Sequence, residues 1–245
     1  MHLQSLHLLN FKNYVDVKLD PSEKINVLVG NNGCGKTNML DAIHYLSMTR
    51  SAFYGSDLSS IRHGEKFFSV KGAFQFEKAI VDLLIAVQSG TKKIIRENGS
   101  EIQKVSDHVG RYRVVLIAPD DTELVKEGSE ARRKFFDSII SQLDHIYLDN
   151  LIRYNHALKQ RNSLLKIFAE SNTFDAIALE SYDHVLADTG ARIFERRNVF
   201  VNEYIPAFSK YYSYLVANEP VSLAYQSELV SVSYNDGLRE SRQRD

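Results

Sequence analysis

The chain has 245 residues, of which 44% are hydrophobic and 25% charged, with Gly 12 and Pro 4; this composition excludes collagen-like, low-complexity and largely disordered proteins. Its 30 Lys and Arg against 31 Asp and Glu give a net charge of −1, so any nucleic-acid binding must use a local basic patch. The length predicts one large domain or two lobes with an ample core.

The first third of the chain predicts two strands and one helix. Apolar residues alternate with polar ones over 15–19, which is the period of a half-buried strand. Residues 25–29 form a short apolar run rich in β-branched side chains, which predicts a buried central strand ending at Gly30. Over 36–47 the apolar residues recur every three or four positions, so this segment is predicted to be an amphipathic helix.

The middle of the chain changes from strands to helices. Residues 67–102 predict an antiparallel meander, and Asn98-Gly99 predicts a tight hairpin because both residues tolerate positive φ. A further buried strand is predicted at 114–118. From about residue 120 to residue 215 the apolar spacing is helical, and residues 221–225 have the pattern of a short strand.

One segment matches the phosphate-binding pattern G-x-x-x-x-G-K-[ST]. The predicted phosphate-binding residues are Gly30, Asn31, Asn32, Gly33, Cys34, Gly35, Lys36 and Thr37. Glycines let such a loop wrap tightly, so that backbone N–H groups point at phosphate oxygens, and the following helix adds its positive dipole end. Lys36 can reach the β- and γ-phosphates, and the Thr37 hydroxyl can ligate Mg²⁺. The alternative is a glycine-rich turn with an exposed lysine.

Several segments, in chain order, make the sequence resemble a known family. They are LLNFKNY (8–14), VLVGNNGCGKTNMLDAI (27–43), TRS (49–51), APDD (118–121), LVK (124–126), RRKFFD (132–137) and LKQRNSLLK (158–166). The first two are typical of ABC-type ATPase heads of the SMC/RecF class. The others narrow the resemblance to the RecF family, and 158–166 is the most diagnostic because it belongs to the helical lobe.

The resemblance implies an α/β fold: an ABC-type P-loop ATPase head with a mixed and antiparallel sheet, an inserted helical lobe, and truncation before the C-terminal ATPase segment. The ATPase lobe would comprise residues 1–119 and 218–245, and the helical lobe residues 120–217. RecF-like proteins bind ATP with Mg²⁺ and form a homodimer around the nucleotide. They bind DNA at gapped duplexes or single-strand/double-strand junctions, and help to load RecA together with RecO and RecR.

Two departures from the family pattern affect this expectation. Lys12 stands where the family usually has Arg; by position it is expected to approach the phosphates, with the charge kept but the bidentate fork lost. The signature segment and the acidic Walker B pair are expected beyond position 245. Asp120-Asp121, which follow an apolar run, are a weaker substitute for Walker B because Pro119 intervenes. We therefore expect the chain to bind ATP but to hydrolyse it very poorly, with no catalytic residue of its own.

Clusters of basic residues are candidates for contacts with DNA phosphates. The candidates in the helical lobe are Arg132, Arg133, Lys134, Arg153, Lys159, Arg161 and Lys166. Lys92, Lys93 and Arg96 form a further cluster in the strand-rich part. Such contacts bind without reading sequence, and they weaken steeply with salt. Each cluster could equally be a solvated face or a subunit contact.

The remaining signals are weaker. A single cysteine can form neither an internal disulfide nor a Cys-based zinc site, and the N-terminus has no signal-peptide pattern, so a reducing cytoplasmic setting without a membrane span is expected. Asp41, one turn after Thr37, is expected either near the magnesium shell or at a solvated helix position. The alternative functions are the head of another SMC-type repair ATPase, a small-molecule P-loop kinase, and a non-catalytic interaction module.

Overall fold

The computed structural model describes residues 1–126, 128–216, 219, 221–227, 229 and 234–241, and the chain divides into two compact units. The N-terminal unit spans Met1–Glu123, and the C-terminal unit spans Leu124–Asp245. The predicted lobe boundary between residues 119 and 120 stays a prediction. The prediction that 218–245 belongs to the ATPase lobe stays a prediction, since much of that segment lies outside the described residues.

The N-terminal unit is built on a six-stranded antiparallel sheet. Its strands are β1 (His2–Leu9), β2 (Asp16–Leu19), β3 (Phe67–Gln75), β4 (Ile80–Gln88), β5 (Ile94–Glu97) and β6 (Ser100–Glu101), in the spatial order β2-β1-β3-β4-β5-β6. β3 and β4 pair from Phe67 with Gln88 to Gln75 with Ile80, and alternate residues of both strands are buried, apart from the half-buried Val81. This period of two places one apolar face against the core.

Helix α1 (Lys36–Met48) covers the apolar face of this sheet. Ala42, Tyr45 and Leu46 are fully buried, and the Tyr45 ring packs edge-to-face on Phe68 of β3. Gly72 of β3 lies directly beneath the helix, because a Cβ there would stand 2.6 Å from Leu46 Cδ1. The missing side chain therefore lets α1 approach the sheet closely.

The local sequence signals are confirmed in this unit. α1 agrees with the predicted helix, and β2 agrees with the predicted alternation over 15–19. The meander over 67–102 is formed by β3 to β6, and its last turn has Asn98 at φ 48 and Gly99 at φ 82. The first strand, β1, is not among the predicted strands.

Two predicted buried strands are wrong. Residues 25–29 and 114–118 form no strand, and alternate apolar side chains of both runs are exposed, while Leu28 packs against the core. Val27 and Val29 are 75% and 85% exposed, and Val115 and Ile117 are 87% and 81% exposed. The described residues supply no neighbouring strand for either run, and all strand pairs of the described sheet are antiparallel.

The described part of the C-terminal unit is helical. Its helices are α2 (Glu123–Lys126, beginning at the boundary), α3 (Ser129–Leu143), α4 (His145–Ser171), α5 (Ala176–Leu215) and α6 (Tyr234–Ser241). α4 and α5 pack along each other, joined by a short loop in which Asn172 ends α4 at φ 52 and Asp175 caps α5. The predicted helical character up to residue 215 is confirmed, whereas residues 221–225 form no strand.

Half-buried ion pairs hold α3, α4 and α5 together. Arg197 of α5 donates two hydrogen bonds, each 2.8 Å long, to the Asp137 carboxylate of α3. The Tyr147 hydroxyl of α4 donates a hydrogen bond to the same carboxylate. Asp144 caps α4 by accepting from the Tyr147 N–H, and it also binds Arg196. One charged cluster therefore fixes the register of three helices.

Candidate phosphate-binding site

The phosphate-binding candidate is the loop that leads into α1. Gly30, Gly33 and Gly35 have φ values of 153°, 82° and 104°, which residues with a Cβ rarely adopt. The loop therefore depends on glycine at three of its positions. These are the two glycines that the motif fixes and one that lies between them.

The ammonium group of Lys36 lies inside this loop. Lys36 Nζ donates hydrogen bonds of 2.8 Å to the carbonyl oxygens of Gly30 and of Asn31. Both acceptors are neutral carbonyl oxygens. A phosphate oxygen could replace them, and it would form a charge-assisted hydrogen bond with the ammonium group.

The N-terminus of α1 is free to accept an anion. Gly35 occupies the N-cap position without a side-chain cap, and the first turn contains no acidic residue. The first N–H groups of a helix lack internal partners, and they carry the positive end of the helix dipole. The exposed Thr37 side chain lies in this same turn. Together these groups suit the phosphates of a nucleotide.

The loop also fits a magnesium ion that arrives with a nucleotide. Among the described residues, no group of three or more His, Cys, Asp or Glu side chains could hold a metal ion. Mg²⁺ would therefore depend on the Thr37 hydroxyl together with nucleotide phosphates, and it would neutralise the charge of the phosphate oxygens.

The turn between β1 and β2 contacts the loop through residues whose function the sequence did not indicate. Asn13 Nδ2 donates to the Cys34 carbonyl at 3.2 Å, and the Tyr14 hydroxyl donates to the Gly35 carbonyl at 3.0 Å. Both residues belong to the LLNFKNY segment of the resemblance, which was the only signal that could have singled them out.

Lys12 forms a buried ion pair with Asp41 of α1. Its ammonium group is 2.6 Å from Asp41 Oδ2, and the two side chains are 5% and 0% exposed. The prediction that Lys12 approaches the nucleotide phosphates stays a prediction. The expectation of a solvated Asp41 is wrong, because its carboxylate is buried and bound to Lys12, the Ser51 hydroxyl and the Ala52 N–H. The expectation that it lies near the magnesium shell stays a prediction.

Two of the basic candidates for DNA contacts are not free at the surface. Arg161 is 3% exposed, and its Nε donates to Asp183 at 2.8 Å, so its placement as a surface contact is corrected. Lys93 Nζ binds Asp57 Oδ2 at 2.6 Å and the Thr49 carbonyl, which makes it part of the fold. Neither position could be recognised from charge alone, since the partners are distant in sequence.

The other candidates on α4 are exposed. Arg153, Lys159 and Lys166 point within an arc of roughly 140° around the helix axis, as the helical repeat requires. On α3, Lys134 pairs with Glu130 at 2.7 Å, and both side chains are about three-quarters exposed. The exposed basic face of α4 is therefore the arrangement best suited to phosphate contacts.

A G-x-x-x-x-G-K-[ST] loop that leads directly into a helix packed on a sheet is typical of P-loop nucleotide-binding proteins. The family model that matches the chain has the description "AAA domain", and it covers residues 5–204.

None of the helices formed by the described residues combines the length and apolar character that a membrane span requires.

Among known proteins, the chain is similar to several named "DNA replication and repair protein RecF". It is 41% identical to that of Flavobacterium johnsoniae and 39% identical to that of Cytophaga hutchinsonii, covering 100% of this chain and 68% and 65% of theirs. Among solved structures, it is similar to the recombination mediator protein RecF-ATP in the RecFOR pathway, with 29% identity and a TM-score of 0.86 over 100% of this chain and 68% of that chain.

A second structure of RecF, described as RecF-ATPrS in the RecFOR pathway, has 32% identity and a TM-score of 0.83. The chain belongs to the RecF family. It spans about two thirds of the length of these relatives, between 65% and 68%. The predicted family and fold class are confirmed, and the alternatives of another SMC-type head or a small-molecule kinase are not favoured.

Proposed function

We propose that this chain is the nucleotide-binding part of a RecF protein, which uses ATP as a switch for DNA binding in recombinational repair. In the intact protein, ATP held between two heads would close a homodimer on DNA at a gap or a strand junction. RecO and RecR would act with it there to load RecA.

The observation that carries this proposal is the loop at 30–37. It combines three glycines at positive φ, a lysine ammonium at the concave side and an uncapped helix N-terminus. These groups attract a polyphosphate by charge and by backbone N–H donors, with no need for a specific base pocket. RecF relatives whose structures carry ATP support the same ligand for this chain.

Hydrolysis by this chain should be very slow. The carboxylate of Asp41, one helical turn after Thr37, is neutralised by Lys12. Without an acid to orient a water molecule, the loop binds a triphosphate but does not promote its attack by water. Robust ATP turnover by the purified chain, abolished by Lys36→Ala, would contradict this part of the proposal.

DNA contacts are proposed on the helical unit, through Arg132, Arg133 and Lys134 of α3 and the exposed face of α4. Binding of a labelled gapped duplex, measured by fluorescence anisotropy between about 50 and 200 mM salt, tests this assignment. The triple variant Arg153→Ala, Lys159→Ala, Lys166→Ala should weaken binding and lower the salt slope by up to about three.

The matched control is Lys18→Ala, Lys71→Ala, Lys78→Ala, which removes the same number of exposed positive charges from the N-terminal unit. It should leave DNA affinity and salt slope close to those of the unmodified chain. Equal losses of DNA affinity in the two triple variants would show that net charge alone causes the effect. This result would overturn the assignment of the DNA contacts to α4.

A further inference from the structure

The β1–β2 turn is tied to two consecutive peptide groups of the phosphate loop. Asn13 Nδ2 donates to the carbonyl of Cys34, and the Tyr14 hydroxyl donates to the carbonyl of Gly35. The two bonds measure 3.2 Å and 3.0 Å. Adjacent residues of one turn therefore hold adjacent carbonyls at the point where the loop becomes α1.

The consequence follows from the geometry of the peptide group. In a planar trans peptide the C=O and the N–H point in opposite directions, and the structure has no cis peptide among its described residues. The Cys34 carbonyl shares its peptide with the Gly35 N–H, and the Gly35 carbonyl shares its peptide with the Lys36 N–H. Anchoring the two carbonyls therefore aims the two N–H groups to the other side.

The contact with Asn13 leaves no room for a side chain at Gly35. A Cβ at Gly35 would lie 2.5 Å and 2.8 Å from Asn13 Nδ2 and Oδ1, and the residue also has a φ of 104°. The absence of a side chain at this position thus has two separate causes, a backbone angle and the close approach of the Asn13 amide.

The two anchoring side chains are themselves held in place. Asn38 of α1 donates to Asn13 Oδ1 at 2.8 Å, which leaves the Asn13 NH₂ group to face Cys34. Arg62 donates to the Asn13 carbonyl at 2.8 Å. Burial, followed by the nearby Cys34 thiol, raises the pKa of Tyr14, so its hydroxyl keeps the proton that it donates.

We propose that Asn13 and Tyr14 are positioning residues, which orient the Gly35 and Lys36 amides toward the phosphates of a bound nucleotide. They act through the loop and do not touch the ligand. This inference rests on the proposed nucleotide-binding function of the same loop. It adds that the affinity depends on a turn outside the sequence motif.

The test is a calorimetric titration of the 245-residue chain with MgATP, comparing Tyr14→Phe and Asn13→Ala with the unmodified chain. Each variant removes one anchoring hydrogen bond, so we expect binding to weaken by about three- to tenfold. Tyr211→Phe and Asn162→Ala change the same residue types at exposed positions of the helical unit, and they should bind MgATP as the unmodified chain does.

A second readout separates orientation from simple loss of stability. At saturating MgATP, the ¹H–¹⁵N shifts of the Gly35 and Lys36 amides should move less in Tyr14→Phe than in the unmodified chain. The melting temperature without nucleotide should change little, because Tyr14→Phe removes only one oxygen atom. If Asn13→Ala lowers the melting temperature strongly, Tyr14→Phe alone decides the question.

The outcomes distinguish the two proposals. If the unmodified chain fails to bind MgATP, the proposed function fails, and the positioning role fails with it. If the unmodified chain binds, and Tyr14→Phe binds equally well with the same amide shifts, only the positioning role is overturned.

Discussion

Asp41 is a buried carboxylate that joins two segments of the N-terminal unit to α1. It accepts from the Lys12 ammonium at 2.6 Å, from the Ser51 hydroxyl at 2.8 Å and from the Ala52 N–H at 2.7 Å. The ring of Tyr54 lies 4.3 Å from Lys12 Nζ and covers the cation. Such a pair is costly to break, because removing one charge leaves the other uncompensated and away from water.

Asp41→Asn should therefore destabilise the N-terminal unit strongly. Since the Lys12 charge stays buried, we expect the free energy of unfolding to fall by about 3–5 kcal/mol, measured by urea denaturation. Glu23→Gln serves as the control: Glu23 is 3.9 Å from His2 and 76% exposed, so its loss should cost less than about 1 kcal/mol. Similar small losses in both variants would contradict the burial of the Lys12–Asp41 pair.

His108 gives the same unit a pH dependence. Its ring donates through Nε2 to the Leu46 carbonyl at 2.7 Å, and the residue is fully buried. The pKa of His108 lies below its ordinary value of 6.5. Burial lowers this pKa more than the hydrogen bond with Leu46 raises it. The unfolded chain therefore takes up the proton first, and stability is lost as the pH falls below the ordinary value.

The melting temperature of the N-terminal unit should thus decrease between about pH 7.5 and pH 5.5, and the decrease should be smaller in His108→Gln. His44 contributes in the same direction, because burial also lowers its pKa. Thermal unfolding, followed by circular dichroism at several pH values, gives the slope of melting temperature against pH for the unmodified chain and for His108→Gln. An equal slope in the two proteins would exclude His108 as a source.

At the scale of elements, the contact between α1 and β3 decides how closely the helix that follows the phosphate loop approaches its sheet. Gly72 gives the helix this room, since a Cβ there would meet Leu46 Cδ1 at 2.6 Å and Leu3 Cδ1 at 3.1 Å. The interior is close-packed, so an added methyl group must displace one of these side chains.

Gly72→Ala should lower the free energy of unfolding of the N-terminal unit by about 1–3 kcal/mol, through this overpacking. Gly55→Ala is the matched control, because a Cβ at Gly55 would have no neighbour within 4 Å. Urea denaturation of the two variants compares them directly. If Gly72→Ala were as harmless as Gly55→Ala, α1 would not be in tight contact with the sheet.

Elements with a local signal could be predicted from the sequence. The period of α1, the meander, the Asn98-Gly99 turn and the phosphate loop all depend on neighbouring residues, and each has the expected conformation. Residues 25–29 could not be predicted in this way. An apolar run indicates that a segment tends to be buried, but whether a partner strand is present depends on residues far away in the chain.

The same reason explains the errors at single basic residues. Arg161 and Lys93 look like surface charges in the sequence, but their partners, Asp183 and Asp57, are 22 and 36 residues away. Charge patterns report composition along the chain, and they do not report which carboxylate will fold against a given cation.

At the scale of the whole molecule, two facts belong together. Two apolar runs of this chain are largely exposed, and the relatives that match the chain are longer. The RecF proteins that match this chain are longer, since the chain covers 65–68% of them. Runs such as 25–29 and 114–118, with β-branched side chains mostly exposed, have the pattern of strands that pair and become buried. We propose that they pair in the full-length relatives.

Hydrogen exchange tests this difference. In the 245-residue chain, the amides of Val27, Val29 and Ile117 should exchange quickly, whereas those of β3 and β4 should be protected by their ladder. In the full-length RecF of Flavobacterium johnsoniae, the corresponding amides should be protected. Slow exchange of these amides in the 245-residue chain would show that both runs are already paired.

The central claim is that the loop at 30–37 binds a nucleotide through its phosphates. Calorimetric titration of the 245-residue chain with MgATP, with AMP as a ligand that lacks the β- and γ-phosphates, tests it most directly. We predict that MgATP binds at one site, that AMP binds at least tenfold more weakly, and that Lys36→Ala loses MgATP binding while its melting temperature is kept. Equal binding of MgATP and AMP, or unchanged binding by Lys36→Ala, would contradict the claim.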